Sequence, residues 1–415
     1  MRRPSFSTRR SATEWGIRSA LAMAAAGLGG ISVAHSLGLA LSAGDPARAH
    51  TLAPWDGQIT ARLSQQRLAD DAGAQARVAT EQLARRALNQ DPTAVASVAT
   101  LGLAAQMRDN TAGARRLMDY AQRLSRRNLQ AQLWAVEGAV ARGDIPGALR
   151  HYDIALRTST TAPNLLFPVL ASAISDPAIQ SNLVPVLARQ PIWGPGFVTY
   201  VASSGTDPRA TASLFTKLHR FHVPIAAEAT SVVITSLVAA SAMDEAWRYY
   251  AAVRPGAERS ASRDPRFTAE LSTPSAFDWT AVSDGSVSAS IERGVAGGRL
   301  DFSAAPGASS VVLQQMQMLP AGAYRLEGHG SGIEQPEQSR PYWVLTCRNG
   351  RELGRIPIPN LSQNAGVFAG RFDVPVQGCP VQTLSLMVRP SDEVSGVAGQ
   401  IDRIQLAPVG QYADR

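Results

Sequence analysis

The stretch Glu81–Pro92, EQLARRALNQDP, decides the fold of the first half of the chain. Leu83, Ala84, Ala87 and Leu88 share one helical face, and Pro92 stops the helix because its ring cannot continue the hydrogen-bond ladder. Much of that face is alanine, so the question is whether the pattern returns. It does, 34 residues on: Ala87 becomes Ala121 and then Ala155. Small residues also recur at Ala79, Gly113 and Gly147, and at Thr80, Ala114 and Ala148. Ala84, Met118 and Tyr152 form a bulkier series, and polar breaks fall at Arg108–Asn110 and Arg142–Asp144. Alanine at fixed positions lets the two helices of a hairpin approach closely, while the larger series fills the groove toward the next hairpin.

A 34-residue period of paired helices, with this Ala/Gly lattice and the ALNQDP ending, resembles the tetratricopeptide repeat family over residues 75–160. The resemblance implies an α-solenoid in which each repeat buries its face only against its neighbours. The family's aromatic is missing from the first unit, and an ordinary helical bundle is the competing reading. Beyond Thr160 the register lapses but amphipathic segments continue, and Ala229–Ala242 with Met243–Val253 make a last hairpin. Its Ala246 and Tyr250 repeat the spacing of Ala148 and Tyr152. Residues 60–255 are therefore expected to form one divergent solenoid, packed at Ala87, Ala114, Ala121, Ala148, Tyr152, Ala155, Ala246 and Tyr250. Its concave face is the default site for a protein partner.

Ahead of the solenoid, residues 1–18 form a basic arm with five arginines against Glu14. Residues 19–43, SALAMAAAGLGGISVAHSLGLALSA, then run without a formal charge. As a helix this segment reaches roughly 37 Å, enough to cross a hydrocarbon core of about 30 Å. The arginines predict a cytoplasmic N-terminus, with the rest of the chain on the far side of a bacterial inner membrane. A cleaved secretory signal is the rival, because LSAG and ARAH offer small residues near a cleavage point. Residues 44–59, containing Asp45–Pro46, Pro54 and Gly57, read as an irregular linker.

After Pro255 the character changes. Residues 256–275 read as a polar crossing segment, and short alternating runs punctuated by Gly and Pro fill residues 276–410. Nine strands are expected there, at 286–294, 299–304, 309–319, 323–330, 342–348, 353–358, 367–374, 383–390 and 400–408. Such spacing argues for an all-β sandwich of jelly-roll type. The run LPAGAYRLEGHGSG and the closing GQIDRIQLAPV resemble strands of carbohydrate-binding-module-like sandwiches across residues 277–408. That resemblance implies a fold more than a ligand. Glycan binding would need exposed flat aromatics, for which Tyr342, Trp343, Trp279, Tyr324 and Phe368 are the candidates. Because Tyr342 and Trp343 alternate along a strand, one of them must point inward. Tyr342, Arg340 and Trp343 are the expected glycan contacts, and Phe277–Trp279 is expected to plug the sandwich end or dock it on the helices. Cys347 and Cys379, confined to this domain of an exported chain, are expected to form a disulfide.

The whole is a multidomain α + β arrangement: a transmembrane helix, an α-solenoid of hairpins and an all-β sandwich. Its net charge of +7 does not indicate nucleic-acid binding, since the N-terminal arm supplies +4 and Lys217 is the lone lysine. The arginine pairs at 85–86, 115–116 and 126–127 read as solvated helix faces. No phosphate-binding loop, HExxH, GxSxG or paired CxxC occurs. His329 lies near Ser331, but no acid at fixed spacing completes a triad, and no cofactor or metal is expected. A non-enzymatic scaffold at the periplasmic membrane surface is the function these features predict, in an arrangement that looks like accessory proteins of exopolysaccharide synthesis and export. A carbohydrate-binding role for the sandwich is the rival.

Overall fold

A computed structural model describes residues 12–71, 73–269, 272–294, 297–361 and 366–412, so residues 1–11 of the basic arm lie outside it. The chain divides into two compact units, Met1–Leu166 and Phe167–Arg415.

The first unit opens with α1 (Ala12–Leu41), a continuous apolar helix exposed along nearly its whole length. Its 30 residues reach about 45 Å, and it is long and apolar enough to cross a membrane. The linker is not irregular throughout: α2 (Pro46–Leu52) starts on an Asp45 cap, with proline at the first turn where no donor is needed. Leu41 packs there against Ala49, Ala53 and Ile59, which ties the base of α1 to the helices that follow.

Those helices are α3 (Gly57–Asp70), α4 (Ala74–Gln90), α5 (Val95–Gln106), α6 (Thr111–Leu124), α7 (Leu129–Ala141) and α8 (Ile145–Thr158). They pair as the hairpins α3/α4, α5/α6 and α7/α8. The starts of α5 and α7, and of α6 and α8, are each 34 residues apart, so the sequence period is the structural period. Helix α4 ends on Asp91, whose carboxylate accepts from the Thr93 amide and hydroxyl. Ala84, Ala87, Ala114, Ala121 and Ala155 are fully buried, and Ala148 and Tyr152 nearly so. Met118 packs over Gly102 of its own hairpin and in one cluster with Ala131 of the next. Gly113 and Gly147 repeat for a different reason from the alanines. Each is the third helical residue, donating its amide to the capping Asn110 or Asp144, whose side chain occupies the space a Cβ would need.

The second unit begins within α9 (Ala162–Ala173) and continues through α10 (Pro177–Ala188), α11 (Gly194–Ser204), α12 (Pro208–Arg220), α13 (Ala227–Ala239) and α14 (Met243–Val253). Helices α10 and α12 each start on an Asp-Pro pair, with Asp176 and Asp207 capping. A two-sheet antiparallel sandwich follows. The first sheet has the order β1 (Thr280–Ala281), β4 (Val311–Gln317), β9 (Gln382–Met387), β6 (Tyr342–Cys347), β7 (Glu352–Pro357). The second has the order β2 (Val287–Gly294), β3 (Gly297–Ala304), β10 (Val397–Pro408), β5 (Gly322–Ser331), β8 (Gly366–Val374). All nine expected strands are present, and the two-residue β1 joins them. Trp343, Leu345, Leu384 and Leu386 of the first sheet meet Leu300, Phe302, Leu326, Phe372 and Ile404 of the second in one core. Cys347 and Cys379 are bonded, as expected.

Helix α14 is joined to the sandwich through Phe277–Trp279, as the sequence suggested. Tyr250 Oη donates to Asp278 Oδ1 at 2.8 Å, and Phe277 lies edge-on to Trp247 with ring centres 5.3 Å apart. Trp279 faces inward on Trp343 at 5.9 Å, so one tripeptide serves both roles. Beside it Arg263 is fully enclosed. Its guanidinium donates to the carbonyls of Phe277, Ala261 and Met316 and to Gln317 Oε1, and lies over the Trp247 ring. Burial pushes its pKa down to about 10, which leaves it charged at neutral pH. The buried phenol of Tyr250 is pushed well above its usual range, mainly by desolvation.

Candidate functional site

The aromatic candidates do not make a sugar platform. Trp343, Trp279, Tyr324 and Phe368 are buried in the sandwich core. This corrects the expectation for Trp343, because alternation along β6 turns its indole inward and leaves no ring face for a ligand. Tyr342 does face outward from the first sheet, yet it is only 9 % exposed, with the guanidiniums of Arg389 and Arg355 lying 4.4 and 5.1 Å from its ring centre. Arg340 turns away to the Gln335 carbonyl. The three expected contacts therefore do not converge.

What the sandwich offers instead is a polar trench on the outer face of its second sheet. Strand β10 pairs with β3 only as far as Ile401; beyond it the chain from Ser262 to Phe267 takes over that edge. Ser262 N donates to Leu406 O, Ile404 N to Pro265 O and Gly298 N to Arg266 O. This segment walls the trench, while β5 and β10 floor it. At Ile401/Arg403 the β10–β5 register slips by one residue. Ile401 and Ile404 both point into the core, so the bulge places Asp402 and Arg403 together on the outer face.

Two adjoining cavities, of about 560 and 840 Å³, share Glu327 and Arg403 and make one continuous trench. The first is lined by Arg266, Arg299, His329 and Asp402, the second by Arg254, Glu258 and Gln405. No aromatic residue lines the first, and Tyr250 is the one ring bordering the second. His329 Nδ1 is 2.7 Å from Asp402 Oδ1. The structure thus gives His329 the acid that sequence spacing did not reveal, 73 residues away on the neighbouring strand. The Ser331 hydroxyl donates to Gln400, however, so no nucleophile joins that pair. The signal for the bulge was present: in GQIDRIQLAP, two consecutive polar residues interrupt an alternating strand.

The first unit carries its own cleft, about 710 Å³, between successive hairpins. Arg115 and Asp119 of α6, Trp134 and Glu137 of α7, Arg142, and His151 of α8 line it. Trp134 is half-buried against the helical core. His151 Nδ1 donates to Gln132 Oε1 at 2.8 Å, and desolvation, followed by Arg150, lowers its pKa. Of the packing residues singled out in the sequence, Tyr250 alone leaves its helical lattice for the sandwich, through Asp278.

No protein-family model matches this chain, and no curated protein matches it. Solved structures do. The CBM4 structure is 16 % identical, matching 35 % of this chain and 99 % of its own, with a TM-score of 0.27. The CBM22-1 xylan-binding domain of Xyn10C from Paenibacillus barcinonensis is 14 % identical, matching 35 % of this chain and 91 % of its own, at 0.25. The C-terminal CBM6 of LamC from Zobellia galactanivorans is 16 % identical, matching 29 % and 90 %, at 0.20. The C-terminal sandwich resembles carbohydrate-binding-module folds, and likeness at this level carries nothing about its ligand.

Proposed function

We propose that the chain is a non-enzymatic scaffold, anchored by α1 in a bacterial inner membrane with its bulk in the periplasm, whose hairpins bind a protein partner. The 34-residue hairpins are similar to tetratricopeptide repeats, and we place the scaffold in surface-polysaccharide assembly or export. The observation that carries this reading is the cleft between hairpins, where a half-buried Trp134 is flanked by Arg115, Asp119, Glu137 and Arg142. An aromatic anchor within a rim of both charge signs is the chemistry of a peptide-binding surface.

The test is a photo-crosslinking residue at position 134 of the full chain in its host membrane, with the exposed position 240 as control. A discrete adduct at position 134 that is absent at position 240 supports the reading. Identical labelling at both positions overturns it. Reporter fusions at both termini test the orientation.

The second reading, carbohydrate binding by the sandwich, is supported by the open trench on its second sheet.

A further inference from the structure

We infer that this trench binds an acidic polysaccharide, one bearing carboxylates, through ion pairs and hydrogen bonds in place of ring stacking. The inference rests on the carbohydrate reading of the sandwich and adds the face and the charge class.

The pairing of the charged groups in the trench carries the argument. Its acids are mostly engaged within the chain. Glu327 accepts from Arg325, Asp402 faces His329, Asp264 accepts from the Thr268 and Ala269 amides, and Asp278 accepts from Tyr250 and Ser275. Three arginines are not so engaged. Among the described residues, Arg254, Arg266 and Arg403 have no acid within ion-pair distance, and Arg403 makes only a 3.5 Å hydrogen bond to Gln405. Against them stands Glu258, which has no ion-pair partner among the described residues. The lining is formally balanced, five arginines against five acids. The acids other than Glu258 are held by donors of this chain, however, while three arginines keep their donors free, the arrangement that recognises carboxylates.

Its shape and surroundings select the kind of anion. From Asp402 to Ala407 the β10 floor runs about 17 Å, the length of an oligomer. Beyond the first cavity the same sheet face continues with Ser288, Ser290, Ser303 and Gln400, suited to sugar hydroxyls, and with Asp301, whose carboxylate is paired with Arg299. Nucleic acid would call for ring platforms on which bases stack, and the trench floor has none. A membrane surface would call for apolar residues to insert, and Val367 is the single exposed aliphatic at the rim.

The experiment titrates the full chain, held in detergent, with polygalacturonate oligomers and with a neutral glucan of equal length. Saturable polygalacturonate binding that falls steeply as salt rises from about 0.05 to 0.3 M is expected, with no response to the glucan. Arg403→Gln and Arg266→Gln should each weaken it about fivefold. Arg371→Gln, on the same sheet but outside the trench and paired with Asp373, should leave it unchanged. Equal binding of the glucan overturns the acidic-polymer inference and leaves the carbohydrate reading standing. Binding of neither overturns both. Equal loss in all three variants overturns the assignment to the trench.

Discussion

Arg263 is the residue on which the second unit most depends. It is 7 % exposed and donates to four different acceptors, all of them neutral: three backbone carbonyls and Gln317 Oε1. Its own amide and carbonyl are bound by Gln315, so two of the three glutamines of β4, Gln315 and Gln317, are spent on this one residue. Arg263→Ala removes the charge, opens a void beneath Trp247 and leaves Gln317 and the Phe277 carbonyl without donors. Each buried acceptor left unpaired costs about 1–3 kcal/mol, which together with the void puts the loss at about 3–5 kcal/mol. For a unit of this size each kcal/mol moves the melting temperature by about 2–4 °C, so a loss of about 6–20 °C is expected. Arg263→Lys should recover little of it, since an ammonium cannot span acceptors arranged around a planar fork. Differential scanning calorimetry of the full chain in detergent reads the shift, with circular dichroism confirming that the variant folds. A variant melting within about 2 °C of the parent would refute the reasoning, because the network would then be replaceable by water.

The other predictions are independent of that network. Reducing the Cys347–Cys379 bond, or replacing both cysteines with alanine, frees a loop with a sequence separation of 32 and should cost about 3–4 kcal/mol; denaturant midpoints that coincide with and without reductant would contradict this. Ala121→Leu forces three extra heavy atoms into a site with no exposure, between Val98, Met118 and Ala131, and should destabilise by about 1–3 kcal/mol. Denaturant unfolding of the first unit's helices measures it. The folded pKa of His151 lies below its unfolded value, so below about pH 6.5 the unfolded chain binds the extra proton and the folded chain resists it. Stability of the first unit should therefore be full above that pH and fall as pH drops from 6.5 toward 5. His50, lowered in the same direction, adds to the slope. Hydrogen exchange of α7 and α8 amides at pH 5.5 and 7.5, compared after correction for intrinsic rates, should show a shallower dependence in His151→Gln.

Where the sequence was legible, one residue type had one physical role. Ala87, Ala121 and Ala155 recur because close helices tolerate nothing larger, and the period therefore survived as a structural period. The strands were legible because apolar alternation has a period of two, and a buried face such as that of Leu384 and Leu386 cannot slip without exposing itself. Where a residue type had two roles the pattern misled. Gly113 and Gly147 obeyed the same period as the alanines but serve the helix caps. The site was the least legible part. Trp343 and Tyr342 look alike to a search for sugar platforms, and only the pleat decides that one is core. Arg266 and Arg403 come together through a chain segment that replaces β3 beside β10, a long-range substitution with no local signature.

The two surfaces differ in a way that can be measured without knowing either partner. In the hairpin cleft the largest group is Trp134, and the charges around it come in both signs, so most of the affinity there should come from apolar contact and survive added salt. In the trench Tyr250 is the one large aromatic ring in the lining, and arginines without an acid partner among the described residues are what remain. Attraction between exposed charges decays over a Debye length of about 10 Å at 0.1 M salt and about 3 Å at 1 M. Partner binding through the cleft should therefore persist at about 0.5 M salt, whereas polymer binding through the trench should be abolished there. A polymer complex that persists at high salt would mean that the trench arginines are not what holds it. A protein complex that dissolves at high salt would mean that the charged rim, and not Trp134, anchors the partner.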